Sequence, residues 1–142
     1  MADLKVSVAG VEFHNPLIAA SGTFGFGREY QEFYPLSTLG GISCKGITLQ
    51  ERPGNPPPRI AETPSGMFNS VVLQNPGVDY FIEKDLPWLR EQGVTIIANI
   101  AGNTPEDYCA MAEKLNDTDI DMIEMNISCP NVKQGGVQFG TS

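Results

Sequence analysis

Four short apolar runs, separated by segments of helical or turn character, constrain this chain more than any other feature. They are Leu17-Ile18-Ala19-Ala20, Gly41-Ile42-Ser43-Cys44-Lys45-Gly46-Ile47, Val94-Thr95-Ile96-Ile97-Ala98-Asn99-Ile100 and Met122-Ile123-Glu124-Met125-Asn126-Ile127. Runs this short, bounded by Gly, Ser and Asn, read as strands with buried side chains. Between the first two, residues 28–34 can form a short helix that stops before Pro35. Asp79 is placed to cap a helical segment in which Phe81, Ile82, Leu86 and Leu89 recur at helical spacing. Pro87 kinks that segment or starts a second helix, with Asp85 as its cap. Thr104-Pro105-Glu106-Asp107 opens a further helix with a capping residue, a proline at the first position and acids at the positive end of the dipole. Its apolar stripe is Tyr108, Met111, Ala112 and Leu115.

Strands alternating with helices imply right-handed βαβ units and a parallel sheet. An open doubly wound sheet and part of a (β/α)8 barrel both fit. A whole barrel takes roughly 250 residues, so 142 can supply only about half of one. Two segments stand outside the alternation. Residues 5–13 alternate apolar and polar about Ala9-Gly10, as a β-hairpin does. Residues 50–70 contain Arg52-Pro53-Gly54-Asn55-Pro56-Pro57-Pro58-Arg59, which excludes helix and central strand and predicts an ordered excursion.

Hydrophobic residues are 41% and charged residues 18% of the chain, the balance of a globular domain. A net charge of −8 argues against nucleic acid or an anionic membrane as the main partner. No stretch approaches the ~20 apolar residues of a membrane helix, and the N-terminus lacks a signal-peptide pattern. Cys44, Cys109 and Cys129 fit no metal-binding template, so a reduced, cytoplasmic compartment is expected. Cys109, on the last predicted helix, reads as a buried structural thiol, and the single histidine, His14, as structural.

Each apolar run leads into a polar residue: Ser21, Lys45, Asn99 and Asn126. All four would lie at the C-terminal rim of a parallel sheet, where such sheets bind ligands, although strands also end in polar residues for no functional reason. Alternation puts Lys45 and Cys44 on opposite faces. A lysine on the ligand side calls for an anionic partner such as a carboxylate or an electron-rich ring edge, unless it reaches solvent. Cys129 follows the fourth run in a loop flanked by Pro130, Asn131, Gly135 and Gly136. A thiol with an ordinary pKa of about 8.5 can serve there as a base after modest tuning.

Several segments together resemble class 1 dihydroorotate dehydrogenases. They are Ala20-Ser21-Gly22-Thr23-Phe24-Gly25, Cys44-Lys45-Gly46-Ile47-Thr48, Gly54-Asn55-Pro56-Pro57-Pro58-Arg59, Leu73-Gln74-Asn75-Pro76-Gly77, Asn99-Ile100-Ala101-Gly102 and Asn126-Ile127-Ser128-Cys129-Pro130-Asn131-Val132-Lys133. The resemblance runs from the N-terminal hairpin to Ser142, and Lys133-Gln134-Gly135-Gly136 is closer in wording to the NAD-linked 1B branch. It implies that residues 1–142 are the N-terminal half of a single FMN-binding (β/α)8 TIM barrel domain.

By the same resemblance, Ser21, Lys45, Gly46, Asn99 and Asn126 contact FMN. Lys45, Asn69, Ser70, Val71, Val72, Leu73, Asn126 and Asn131 line the substrate pocket. Cys129 is the base that takes the C5 proton of dihydroorotate while the C6 hydrogen leaves as hydride. The family's quaternary arrangement implies a homodimer joined to a subunit carrying FAD and a 2Fe-2S cluster, which passes electrons to NAD. Val72 departs from the family's usual glycine, which puts the pocket's width and local backbone in question. Two other readings compete: a dihydropyrimidine dehydrogenase-like flavoprotein, and a non-catalytic half-barrel. The chain is expected to be a piece of a longer one.

Overall fold

The computed structural model describes residues 3–128 and 137–141. The chain opens with an antiparallel pair, β1 (Val6–Val8) and β2 (Val11–Phe13), which turns at Ala9-Gly10 as expected. β3 (Ile18–Ala19) and a single helical turn α1 (Ser21–Phe24) follow, then two short 3-10 turns and β4 (Gly41–Ser43). The excursion holds a second antiparallel pair, β5 (Ile60–Thr63) and β6 (Gly66–Asn69). Next, α2 (Val78–Tyr80), a π-helical turn over Phe81–Asp85 and α3 (Leu86–Glu91) form one continuous helical stretch. β7 (Thr95–Ile100), α4 (Pro105–Asn116), β8 (Met122–Met125) and the short α5 (Val137–Gly140) complete the order.

β3, β4, β7 and β8 make one all-parallel sheet in that spatial order. Its two faces differ sharply. Ile42, Ile96, Ala98 and Ile100, together with Cys44, pack against Phe81, Leu86 and Leu89 of the first helical stretch and Tyr108, Met111 and Leu115 of α4. Each such aliphatic or aromatic side chain contributes roughly 1.5–3 kcal/mol by leaving water. The other face carries Ser43, Ile97, Asn99 and Glu124, aligned by register across three strands. One face is therefore core, and the other is mostly polar and free to form a site.

The start of α4 is as the sequence predicts. Thr104 Oγ1 accepts from the Asp107 N–H at 3.2 Å, while Asp107 Oδ2 accepts from Thr104 N at 3.2 Å and Asn103 N at 2.8 Å, closing a capping box.

Other expectations need correction. Leu17 and Ile18 are 64% and 41% exposed rather than buried: among the described residues β3 has a strand on one side only. Residues 28–34 yield only a 3-10 turn at Tyr30–Glu32: Arg28 is drawn toward Asp85 and Tyr30 stacks on Phe24 at 4.2 Å. Asp79 does not cap its helix. Gly77, at φ +84, holds that position, and Asp79 instead pairs with Lys114 at 2.6 Å. Asp85 precedes α3 but makes no capping bond, because the helical stretch runs through it without a break; its carboxylate meets Arg28 instead. The fourth strand ends at Met125, two residues short of Ile127. Cys109 is exposed: Tyr108, Met111 and Leu115 set the buried stripe of α4, and Cys109 lies about 100° around the helix from Tyr108.

The Arg28–Asp85 contact joins the segment after β3 to the helical stretch. Arg28 Nη2 reaches Asp85 Oδ1 at 3.0 Å, and the guanidinium lies 4.2 Å over the Trp88 ring. Burial raises the Asp85 pKa above the usual carboxylate range, with Arg28 opposing that shift. Burial also pushes the neighbouring Cys44 thiol up to about 12, with the Asp85 charge adding to the effect. Cys44 is therefore a protonated, unreactive core residue.

Two outcomes follow. Arg28→Ala should destabilise the fold by about 2 kcal/mol in urea titrations, less than a fully buried pair would cost because Arg28 is partly exposed. Asp85 should also leave a signature in pH. Its raised pKa means that the folded state binds this proton before the unfolded state does, so charging it at neutral pH costs stability. That cost is relieved as pH falls through the folded-state pKa toward the ordinary value of about 3.9. Wild type should therefore gain stability relative to Asp85→Asn on acidification; a pH-independent difference would contradict the assignment.

Candidate functional site

A cavity of about 560 Å³ opens over the C-terminal ends of β3, β4 and β8. That size lies within the range of small-molecule sites. Three strand ends supply its floor: Ser21 and Gly22 after β3, Lys45 and Gly46 after β4, and Asn126 and Ser128 after β8. The excursion supplies its roof through Ile60, Met67 and Asn69 of the β5–β6 hairpin, and through Val71, Val72 and Leu73 beyond it.

Lys45 is the cation of the site. Its backbone N–H donates to Gly25 O at 2.8 Å, which fixes the strand end, and its side chain faces the cavity while Cys44 enters the core. Among the described residues its ammonium forms no ion pair. A half-buried, uncompensated cation in a cavity is suited to an anionic ligand. Beside it, Gly46 makes a close approach: a Cβ there would stand 3.0 Å from Asn99 Oδ1 and 3.1 Å from Leu73 Cδ1.

Beneath the floor runs a row of polar side chains. Asn126 Nδ2 donates to Asn99 Oδ1 at 3.3 Å, and Asn99 Nδ2 donates to Glu124 Oε1 at 2.6 Å. Ser43 Oγ donates to Glu124 Oε2 at 2.7 Å. Asn126 is fixed through its backbone as well, since its N–H donates to Ile100 O at 2.8 Å and Tyr108 Oη donates to its carbonyl at 2.8 Å.

The roof is held by Asn75. Its buried Oδ1 accepts from Thr48 N and Gly77 N, each at 3.0 Å, and its Nδ2 donates to Leu73 O at 2.9 Å and Thr48 Oγ1 at 3.0 Å. Both ends of the excursion thus close on one amide. Farther out, Arg59 Nη1 donates to Pro53 O at 3.3 Å and Asn55 O at 3.1 Å, and Asn55 Nδ2 donates to Ser70 O at 2.7 Å. Val72, at the cavity wall, has φ +66, a left-handed conformation that a β-branched residue adopts only under strain.

The structure brings together Ser21, Lys45, Gly46, Asn69, Val71, Val72, Leu73 and Asn126 from the residues singled out in the sequence. Ser70 is exposed beside the hairpin and does not line the cavity. Asn99 lies one layer below, 1% exposed, behind Gly46 and Asn126. Cys129 and Asn131 lie outside the described residues. Sequence reasoning passed over Glu124 and Asn75 as site residues. A charged residue within Met122-Ile123-Glu124-Met125 was the available signal for the first. The hairpin residues Ile60 and Met67 left none, because strands exposed on both faces show no alternation.

A parallel sheet with a ligand-sized cavity over its strand ends defines an α/β protein of the barrel or doubly wound class. The chain belongs to the dihydroorotate dehydrogenase family, whose sequence model matches residues 3–142. It is 63% identical over 141 residues to the dihydroorotate dehydrogenase B (NAD(+)) catalytic subunit of Petrotoga mobilis, covering 99% of this chain and 47% of that one. The protein of the same description from Alkaliphilus metalliredigens is 60% identical over 139 residues, covering 98% and 46%. The chain thus spans about half the length of these curated relatives. A crystal structure of a dihydroorotate dehydrogenase from Eimeria tenella in complex with ferulenol shares the fold, with a TM-score of 0.65 at 23% identity, over 92% of this chain and 38% of that one. Among the described residues no helix is long and apolar enough to cross a membrane.

Two substitutions test the roof. Val72→Gly should raise stability by about 1 kcal/mol, the relief of strain less the entropy cost of a new glycine, read as a higher Tm. Asn75→Ala should cost about 2–4 kcal/mol, because Thr48 N and Gly77 N lose their buried acceptor.

Proposed function

We propose that these residues form the N-terminal half of a single FMN-binding (β/α)8 barrel domain, and that the protein oxidises dihydroorotate to orotate in pyrimidine biosynthesis. The observation that carries this reading is the Lys45 ammonium, without an ion pair among the described residues, beside the amides of Asn69 and Asn126 in a cavity over parallel strand ends. A pyrimidine carboxylate offers one negative charge and several amide-like edges, and these groups complement both. The absence of a Cβ at Gly22, with open space around it, and the close packing at Gly46 suit a flat ring laid along the strand ends.

Bound FMN would supply the two-electron acceptor for the hydrogen at C6. Lys45 would hold the substrate carboxylate and, with Ser21, Gly46 and Asn126, would contact the flavin. Asn99 supports that contact from below. Asn69 and Asn131 meet the substrate's N–H and C=O groups, while Val71, Val72 and Leu73 exclude water above the ring, with Ser70 holding their approach. Cys129, which follows the β8 segment in the sequence, would receive the C5 proton at its sulfur. Fixing base and acceptor on opposite sides of two adjacent carbons lets positioning supply much of the rate.

The name of the Petrotoga mobilis relative, a catalytic subunit of an NAD(+) enzyme, favours NAD as the final acceptor and a partner subunit beside this one. We take that partner to carry FAD and a 2Fe-2S cluster, joined to a homodimer of catalytic subunits in the cytoplasm.

Anaerobic addition of dihydroorotate to the intact polypeptide, loaded with FMN, should bleach the flavin's visible absorbance. Cys129→Ala should slow bleaching about 10²–10⁴-fold, and Lys45→Met should weaken orotate binding at least ~10-fold. Bleaching by dihydrouracil in preference to dihydroorotate would shift the reading to a dihydropyrimidine dehydrogenase-like enzyme. Failure to bind FMN at all would overturn it in favour of a non-catalytic half-barrel.

A further inference from the structure

The strands of the parallel sheet contain a single ionisable side chain, Glu124, in the middle of β8. Register sets it beside Asn99 of β7, and both carboxylate oxygens are engaged, Oε1 by Asn99 at 2.6 Å and Oε2 by Ser43 of β4 at 2.7 Å. One side chain therefore ties three adjacent strands on the polar face of the sheet. It does not line the cavity.

Its importance lies in what it forces on its neighbours. A carboxylate only accepts hydrogen bonds, so Asn99 must turn its Nδ2 toward Glu124 and its Oδ1 away. That oxygen then faces Asn126 and accepts from its Nδ2 at 3.3 Å. Asn126 in turn has its Oδ1 toward Ser128, whose N–H lies at 3.3 Å and Oγ at 3.5 Å. A carboxamide by itself can turn over with little change in shape, exchanging a donor for an acceptor. The acceptor-only carboxylate at one end of this row and the donor-only Ser128 N–H at the other hold both amides in the same sense, with the shorter contact on the Glu124 side.

We propose that Glu124 is a positioning residue that fixes the donor and acceptor pattern Asn126 presents to a ligand in the cavity, acting through Asn99. The identity of that ligand, flavin and pyrimidine carboxylate, rests on the function proposed above; the orientation of the amides does not. Polarity, rather than charge, passes along the row. A glutamine at position 124 could accept from Asn99 with its oxygen and donate to the Ser43 hydroxyl with its amide, so it should preserve the pattern. A leucine could do neither.

The test is NMR of the Asn side-chain amides in the intact polypeptide, together with FMN and orotate titrations. Glu124→Gln should shift the Asn99 resonances, its direct neighbour, while leaving those of Asn126 in place and orotate affinity within about threefold of wild type. Glu124→Leu should shift both amides, Asn126 included, although Asn126 makes no hydrogen bond to residue 124, and should weaken orotate binding about tenfold or more. If Glu124→Leu does not fold, Glu124→Gln combined with Ser43→Ala removes only a hydroxyl and frees the glutamine to turn over. The Asn99 and Asn126 signals should then both move to averaged positions, because carboxamide turnover about a soft sp3–sp2 torsion is fast on the NMR timescale. An Asn126 signal unmoved by Glu124→Leu, or unmoved in the double variant, overturns the proposal. So does a loss in Glu124→Gln equal to that in Glu124→Leu, which would assign the role to charge. Amides that respond as stated in a protein that binds neither FMN nor orotate would uphold the relay and refute the dehydrogenase reading.

Discussion

The buried amide of Asn75 is the contact on which the site depends. The stretch between Thr48 and Gly77 has almost no apolar burial of its own: its hairpin is exposed along nearly its whole length, and prolines deny it regular structure in between. Such a segment would wander if only its ends were continuous with the sheet. Asn75 gathers Thr48, Leu73 and Gly77 around one side chain and converts a long loop into a closed one. Asn69 and Val71 to Leu73 are thereby brought above Lys45. A backbone pair between Arg52 and Asn75, N–H to O at 2.9 and 3.0 Å, reinforces the closure.

The sheet beneath divides its labour by face. Apolar side chains on one face pack under two helical segments and supply the stability, so the other face need contribute little and can carry polar groups. Those groups cost little because the buried ones, Ser43 and Asn99, are hydrogen-bonded, while the Glu124 carboxylate that receives them stays open to solvent. Lys45 stands at the boundary between the two regimes. Its neighbour Cys44 is committed to the core, and the strand's alternation then leaves Lys45 no direction but the cavity.

What was legible in the sequence follows from the same division. The parallel strands, the hairpin at Ala9-Gly10 and the capping box of α4 are local patterns, and they were readable because local physics fixes them. The rim residues Ser21, Lys45 and Asn126 were readable because strand ends in a parallel sheet face one side. The exposure of β3 was not, since a run of apolar residues does not state how many neighbours it has. Helix expectations at residues 28–34 and at Asp79 and Asp85 failed for a shared reason. At all three the deciding context is not local: the Arg28–Asp85 pair spans 57 residues, the helix begins earlier, at Gly77, so Asp79 lies inside it, and Asp85 lies within an unbroken helical stretch. Glu124 was hidden because its role exists only in register with β4 and β7.

The closure by Asn75 also separates two kinds of selection. Changes within the hairpin or along Val71 to Leu73 alter what covers the cavity, yet few of these residues support the helix-packed core. Such a loop can drift as a cassette, exploring new ligand preferences while the scaffold's foldability stays nearly constant. Val72, held at φ +66, is the sort of residue this arrangement tolerates: a local burden confined to the roof, away from the helix-packed core.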